Sequence, residues 1–196
     1  MWDKIKILEI SRDAKDSLKK DDNGRMTNGS NYRILFYYLP LFVSVVLLFA
    51  RVRINTEIAN YFITAISIFA GLFFNLLLVI ADKVNIRRQL INAESDEAQK
   101  NYVARYKHFS EQLISQISYT IIVSVAIIIL MFLTHFSTWL PRNVSQTWLE
   151  IYSILKIILN GIIFFFGTRF LILLLLVLSS LYKLLLDDLT LKTPKK

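Results

Sequence analysis

Arg169 is the residue of this chain best placed to do chemistry. Its guanidinium is permanently charged and carries five N–H donors in a rigid fork. It stands 13 residues after Lys156 and 14 before Lys183, alone as a charge within the apolar run Ile157 to Tyr182. Roughly 20 apolar residues cross a bilayer core about 30 Å thick. The spacing therefore puts Arg169 near the midplane, where a lone guanidinium costs from about 2.5 to over 10 kcal/mol. No apolar run of the chain supplies a carboxylate to neutralise it. Three stabilisers fit this pattern. Asn75, or free carbonyls near Gly167, could accept its hydrogen bonds in a structural role. The charge could line an aqueous pore or pocket and attract anions. It could also snorkel to the inner headgroups and hold an anionic lipid. Asn75 and Asn160 are the other strongly polar candidates at this depth.

Other chemistry is excluded by the residues present. The chain has no Cys, so it forms no disulfide, thiolate nucleophile or Cys-ligated zinc. Its two histidines are far apart: His108 reads as a surface residue among Tyr106, Lys107 and Phe109, and His135 as an interfacial one. There is no HExxH, no GxSxG, no Gly-rich phosphate loop and no carboxylate pair in an apolar setting. Asp187 and Asp188 adjoin at a helix end and read as solvated. The expectation is a protein that is not an enzyme, with no catalytic, cofactor-binding or metal-ligating residue.

The elements that must position Arg169 are helices in a membrane. Hydrophobic residues make up 55% of 196, with mean hydropathy +0.47, against roughly 45–50% in soluble domains. They are blocked into runs, which predicts an all-α membrane protein. Four spans are expected at 34–50, 58–81, 113–133 and 157–182, within a bundle over 32–186. The first is short and contains Pro40, tolerated where neighbours satisfy the freed carbonyl. An interfacial turn around Trp148, Leu149, Ile151 and Tyr152 is expected before the fourth. Residues 1–31 read as an amphipathic helix on the headgroups, with Trp2, Ile5, Leu8 and Leu18 at helical spacing, then a linker over Asp21–Asn31. Residues 187–196 form a short tail.

Lysine and arginine give the orientation. The N-terminal segment, the 82–111 loop and the tail carry eighteen, and the other side carries Arg51, Arg53 and Arg142. The positive-inside rule then puts both termini and that loop in the cytoplasm of an inner membrane. Trp139 and Trp148 flank the outer loop as interface aromatics. The net charge of +8 follows from the same rule and is no nucleic-acid footprint.

Two features address assembly. The loop Asp82–Glu111 has no Gly or Pro and high helix propensity. It is expected to extend spans two and three as a helical hairpin bending near Asn92–Asp96. Leu90, Ile91, Tyr102, Val103, Tyr106 and Phe109 form its apolar side. Arg87, Arg88, Glu94, Asp96, Glu97, Arg105 and Lys107 are its candidate contacts for a cytoplasmic protein. Span three carries Ser115, Gln116, Ser118, Tyr119, Thr120 and Ser124. Ser67 with Gly71, and Thr120 with Ser124, are small-xxx-small pairs, read either as packing inside the chain or as a seam between copies.

By size, polar N-terminus, four runs, the charged cytoplasmic hairpin and the stretch FITAISIFAGLFFNLLLVIADK (Phe62 to Lys83), the chain resembles the small four-span membrane proteins of bacterial anti-phage defence systems, nearest the membrane subunits of Kiwa systems. The resemblance implies a homo-oligomeric inner-membrane sensor that recruits a cytoplasmic effector, and it assigns no residue a role. The alternative expectation is a pore or channel effector that depolarises the membrane.

Overall fold

The computed structural model describes residues 6–19, 29–89, 97–135 and 146–191. These residues form five helices: α1 (Ile7–Leu18), α2 (Gly29–Phe49), α3 (Thr56–Gln89), α4 (Glu97–His135) and α5 (Gln146–Leu191). Helices α2 to α5 are long and apolar enough to cross a membrane. The last three have 34, 39 and 46 residues. At 1.5 Å per residue they run roughly 50–70 Å, well past a hydrocarbon core of about 30 Å.

Two boundaries differ from the sequence expectation. Helix α2 starts at Gly29, inside the expected linker, whose residues up to 28 lie outside the described ones. The expected interfacial turn at Trp148–Tyr152 is the opening of a continuous α5. No Gly or Pro falls between Gln146 and Asn160, so nothing breaks the helix there. The expected bend at Asn92–Asp96 lies outside the described residues, with α3 running to Gln89 and α4 starting at Glu97.

The packing follows a seven-residue repeat. Helix α3 buries Ala59, Ile66, Phe73 and Ile80; α4 buries Tyr106, Ser110, Leu113, Ile117, Thr120, Ser124, Ile127 and Met131; α5 buries Ile163, Phe170, Val177 and Leu184. A strict period of seven on helices of 3.6 residues per turn requires left-handed coiling with side chains set into holes of the facing helix. Ser110, Thr120 and Ser124 keep the α4 seam thin. The last two turn their hydroxyls to the carbonyls of Gln116 and Ile121, at 2.8 and 2.7 Å. The Thr120–Ser124 pair is thus interior packing.

In space the spanning helices follow the order α3, α4, α5, α2. Helix α4 packs between α3 and α5, and α2 packs on the far side of α5. The row curls, so that Phe69 of α3 meets Phe170 of α5 with ring centroids 6.5 Å apart.

Within the N-terminal segment, where Trp2, Ile5, Leu8 and Leu18 are expected to form an amphipathic helix, α1 covers Leu8 and Leu18. It docks on α4 through Ala14, Ser17 and Leu18, while Leu8 is 86% exposed. Ser17 Oγ donates to the Gln112 carbonyl at 3.3 Å and accepts from Gln116 Nε2 at 3.1 Å. Trp2 and Ile5 lie outside the described residues.

Candidate functional site

The environment of Arg169 begins with Pro40. Proline lacks an N–H, and in a regular helix its ring clashes with the carbonyl four residues back. Here residues Ile34–Tyr38 wind as a π-helix, and the Leu39 N–H donates to the Ile34 carbonyl, five residues earlier. The wider turn takes up the proline without ending α2. It also brings Tyr32 and Tyr37, five apart, to one side, with ring centroids 6.0 Å apart and edge-on. Phe36 backs Tyr32 at 5.1 Å.

Arg169 projects from α5 into this surface, with Tyr119 of α4 on its other flank. Its guanidinium carbon lies 5.4 Å from the Tyr37 ring centroid and 5.5 Å from that of Tyr119. Arg169 is 6% exposed, and Nε and Nη2 have no hydrogen-bond acceptor. The buried Tyr32 hydroxyl is likewise without a partner. Among the described residues, no carboxylate pairs with the guanidinium. Two aromatic faces do the stabilising instead. Each such contact is worth about 2 kcal/mol when desolvated, so the two together are enough to offset the lower end of the insertion cost, about 2.5 kcal/mol.

The structure separates the residues that the sequence grouped. Asn75 is exposed on the side of α3 facing away from α4, and it does not reach Arg169. Asn160 is 4% exposed near the start of the α5 span, and its Oδ1 has no partner. Next to it, the Gly161 carbonyl accepts a 2.8 Å bond from Ser44 Oγ of α2. Tyr32 and Tyr37 were missed by sequence reasoning. The signal available was a tyrosine pair five apart just before Pro40, in a chain whose fourth apolar run carries the lone cation Arg169.

A second feature lies on the outer face of α3. Asn60, Thr64, Ser67, Gly71, Asn75 and Asp82 are all exposed. Steps of three, four and seven keep them on one strip of helix, turned away from the heptad line buried on α4. Thr64 Oγ1 bonds the Asn60 carbonyl at 2.8 Å, but the Asn75 amide has no hydrogen bond among the described residues. A methyl at Gly71 would meet nothing within 4 Å. Ser67 and Gly71 therefore face outward, unlike Thr120 and Ser124.

Of the candidate docking residues, Glu97, Arg105 and Lys107 are exposed on α4. Lys107 is within 3.7 Å of Glu111. Arg87 and Arg88 lie in the last turn of α3, with side chains outside the description, and Glu94 and Asp96 lie outside the described residues. Of the expected apolar side of the loop, Tyr106 is buried and Phe109 half-buried. Among the described residues, no group of His, Asp and Glu is arranged to hold a metal. In comparisons with known proteins, no family model, no curated protein and no solved structure matches this chain.

Proposed function

We propose that the chain is a homo-oligomeric inner-membrane scaffold or sensor of the anti-phage type, with both termini in the cytoplasm, that docks a cytoplasmic effector. One observation carries the oligomer: the strip Asn60, Thr64, Ser67, Gly71, Asn75 and Asp82 faces away from its own bundle on a helix of membrane-spanning length. An amide such as that of Asn75 has no partner in hydrocarbon. A second copy supplies one, and Ser67 with Gly71 lets the two backbones approach. The charge excess on the α1 side supports the orientation, and the exposed Glu97, Arg105 and Lys107 give the effector a polar face to bind.

The absence of cysteine makes the test clean. Single cysteines at Ser67 and Gly71 in native membranes are expected to cross-link into dimers on mild oxidation. A cysteine at Leu175, exposed on α5, is expected to stay monomeric. Equal cross-linking at the three positions rejects the seam.

A second reading, a pore, draws on the same strip. If several copies turned it towards a common axis, Asn60, Thr64, Asn75 and Asp82 would line water. Liposomes containing the oligomer would then leak ions, and Asn75→Leu would close them. In the scaffold reading they stay tight. Arg169, enclosed by its tyrosines, is a wall residue in either case.

A further inference from the structure

At the end of the bundle away from α1, the last turn of α2, the residues just after it and the stretch of α5 from Ser153 to Asn160 line a pocket of about 270 Å³. Arg51, Arg53 and Lys156 stand on its walls, with Ser153 and Asn160 between them. No carboxylate lines it. None of the three cations has an ion-pair partner among the described residues. Asn160 is nine-tenths buried and its Oδ1 is unpartnered. Rotation of an amide by half a turn exchanges its oxygen for an NH2 donor, so Asn160 can meet either a hydroxyl or an anionic oxygen.

The backbone holds this arrangement at a cost. After Ala50 the helix ends with the Val52 N–H bonded to the Leu47 carbonyl and the Arg51 N–H to the Leu48 carbonyl. That pattern places position 51 in the left-handed region, where glycine is the usual occupant, and Arg51 has φ 52°. A side chain there is strained by roughly 1–2 kcal/mol relative to glycine. The guanidinium is kept where glycine would be easier. Arg51 and Arg53 also depart from the charge rule that fits the rest of the chain.

We propose that this pocket binds the phosphate of an anionic ligand, either the phosphodiester of a lipid headgroup or free phosphate. Two guanidiniums match phosphate oxygens in pairs and an ammonium adds a point charge. The volume is near the lower end for ligand pockets, roughly 300 Å³, which suits a headgroup or a small ion. Leu48 and Ile157 supply an apolar wall at the level where a spanning helix meets the interface.

The test uses the full chain purified in detergent. Native mass spectrometry is run with phosphatidylglycerol or phosphatidylcholine added, and thermal unfolding is run with sodium phosphate against sodium chloride at equal ionic strength. Preferential retention of phosphatidylglycerol identifies a lipid phosphodiester. A phosphate-specific rise in Tm without that preference identifies a soluble ion. In either case Arg51→Gly and Lys156→Gln are each expected to weaken binding about tenfold, the loss of one charge-assisted hydrogen bond. Arg51→Gly relieves the strained backbone, so the unliganded Tm should hold or rise while binding falls. No lipid preference together with no phosphate effect, or retention unchanged in both variants, overturns the proposal. None of these readouts depends on the α3 seam.

Discussion

At the scale of single residues, the buried charge is held by ring faces and not by a counter-ion. That has a consequence for which atoms matter. A cation over an aromatic ring is attracted by the ring's quadrupole, and a hydroxyl on the rim adds little. Tyr119→Phe should therefore leave thermal stability within about 0.5 kcal/mol, a typical tolerance for a change that breaks no special contact. Tyr119→Leu should cost about 2 kcal/mol, because Arg169 loses one of its two faces. Arg169→Leu is expected to be neutral or stabilising, as is common when a buried charge gives way to an apolar side chain of similar volume. Unfolding of the purified chain in detergent measures all three. A large loss for both Tyr119 variants would assign the site to the hydroxyl instead. The presence of an unpaired cation among apolar residues was legible in the sequence, because charge is read without geometry. Its partners were not. Tyr32 and Tyr37 are five residues apart, a spacing that scatters side chains around an ordinary helix.

At the scale of the element, the π-turn of α2 is what brings those tyrosines together. Proline inside a helix normally destabilises, so its replacement by alanine normally helps by up to about 3 kcal/mol. Here the opposite sign is expected. With alanine at position 40 the segment can return to regular α-helix. Tyr37 then rotates away from Arg169 and the guanidinium keeps only the Tyr119 face. Pro40→Ala should lower the Tm in the wild-type background and raise it in the Arg169→Leu background. That sign reversal in a double-mutant cycle would tie the proline to the arginine. Additive effects would break the link.

The same helix meets α5 where Gly161 lies beneath Leu48, whose Cδ1 would stand 3.1 Å from an added methyl. A branched side chain has no room to turn. Gly161→Val should separate α2 from α5, break the Ser44 bond to the Gly161 carbonyl, and cost about 1–3 kcal/mol. Faster hydrogen exchange across α2 would report it. Span number and approximate bounds could be read from apolar runs, because length alone decides what crosses a membrane. Neighbour relations could not. In a spanning helix the lipid face and the core face are both apolar, and the hydrophobic pattern does not say which is which. Thr120 and Ser124 were a partial exception: their spacing marked a close-packing line, but packing inside the chain and a seam between copies read alike until both were found buried.

At the scale of the whole molecule, a curled row with α3 at one edge leaves an uneven exterior. Most of it is Leu, Ile, Val and Phe, which lipid covers at no cost. The strip through Ser67, Gly71 and Asn75 differs, because lipid tails cannot bond an amide. Substitution on that strip should separate folding from assembly. Nothing lies within 4 Å of an added methyl at Gly71, so Gly71→Leu intrudes on no part of its own chain. Asn75→Leu removes a polar group without breaking a hydrogen bond among the described residues. The double variant should keep the Tm of the dilute monomer or raise it slightly. Its larger assemblies should fall to the monomer mass in native mass spectrometry and light scattering, because close approach and the cross-subunit amide bond are lost together. A strip that merely faces lipid would give another result, with mass distributions identical before and after substitution. The double variant would also test the link from assembly to partner. A soluble effector that needs several copies at once is held by avidity. It should be lost with the oligomer even though Glu97, Arg105 and Lys107 are untouched.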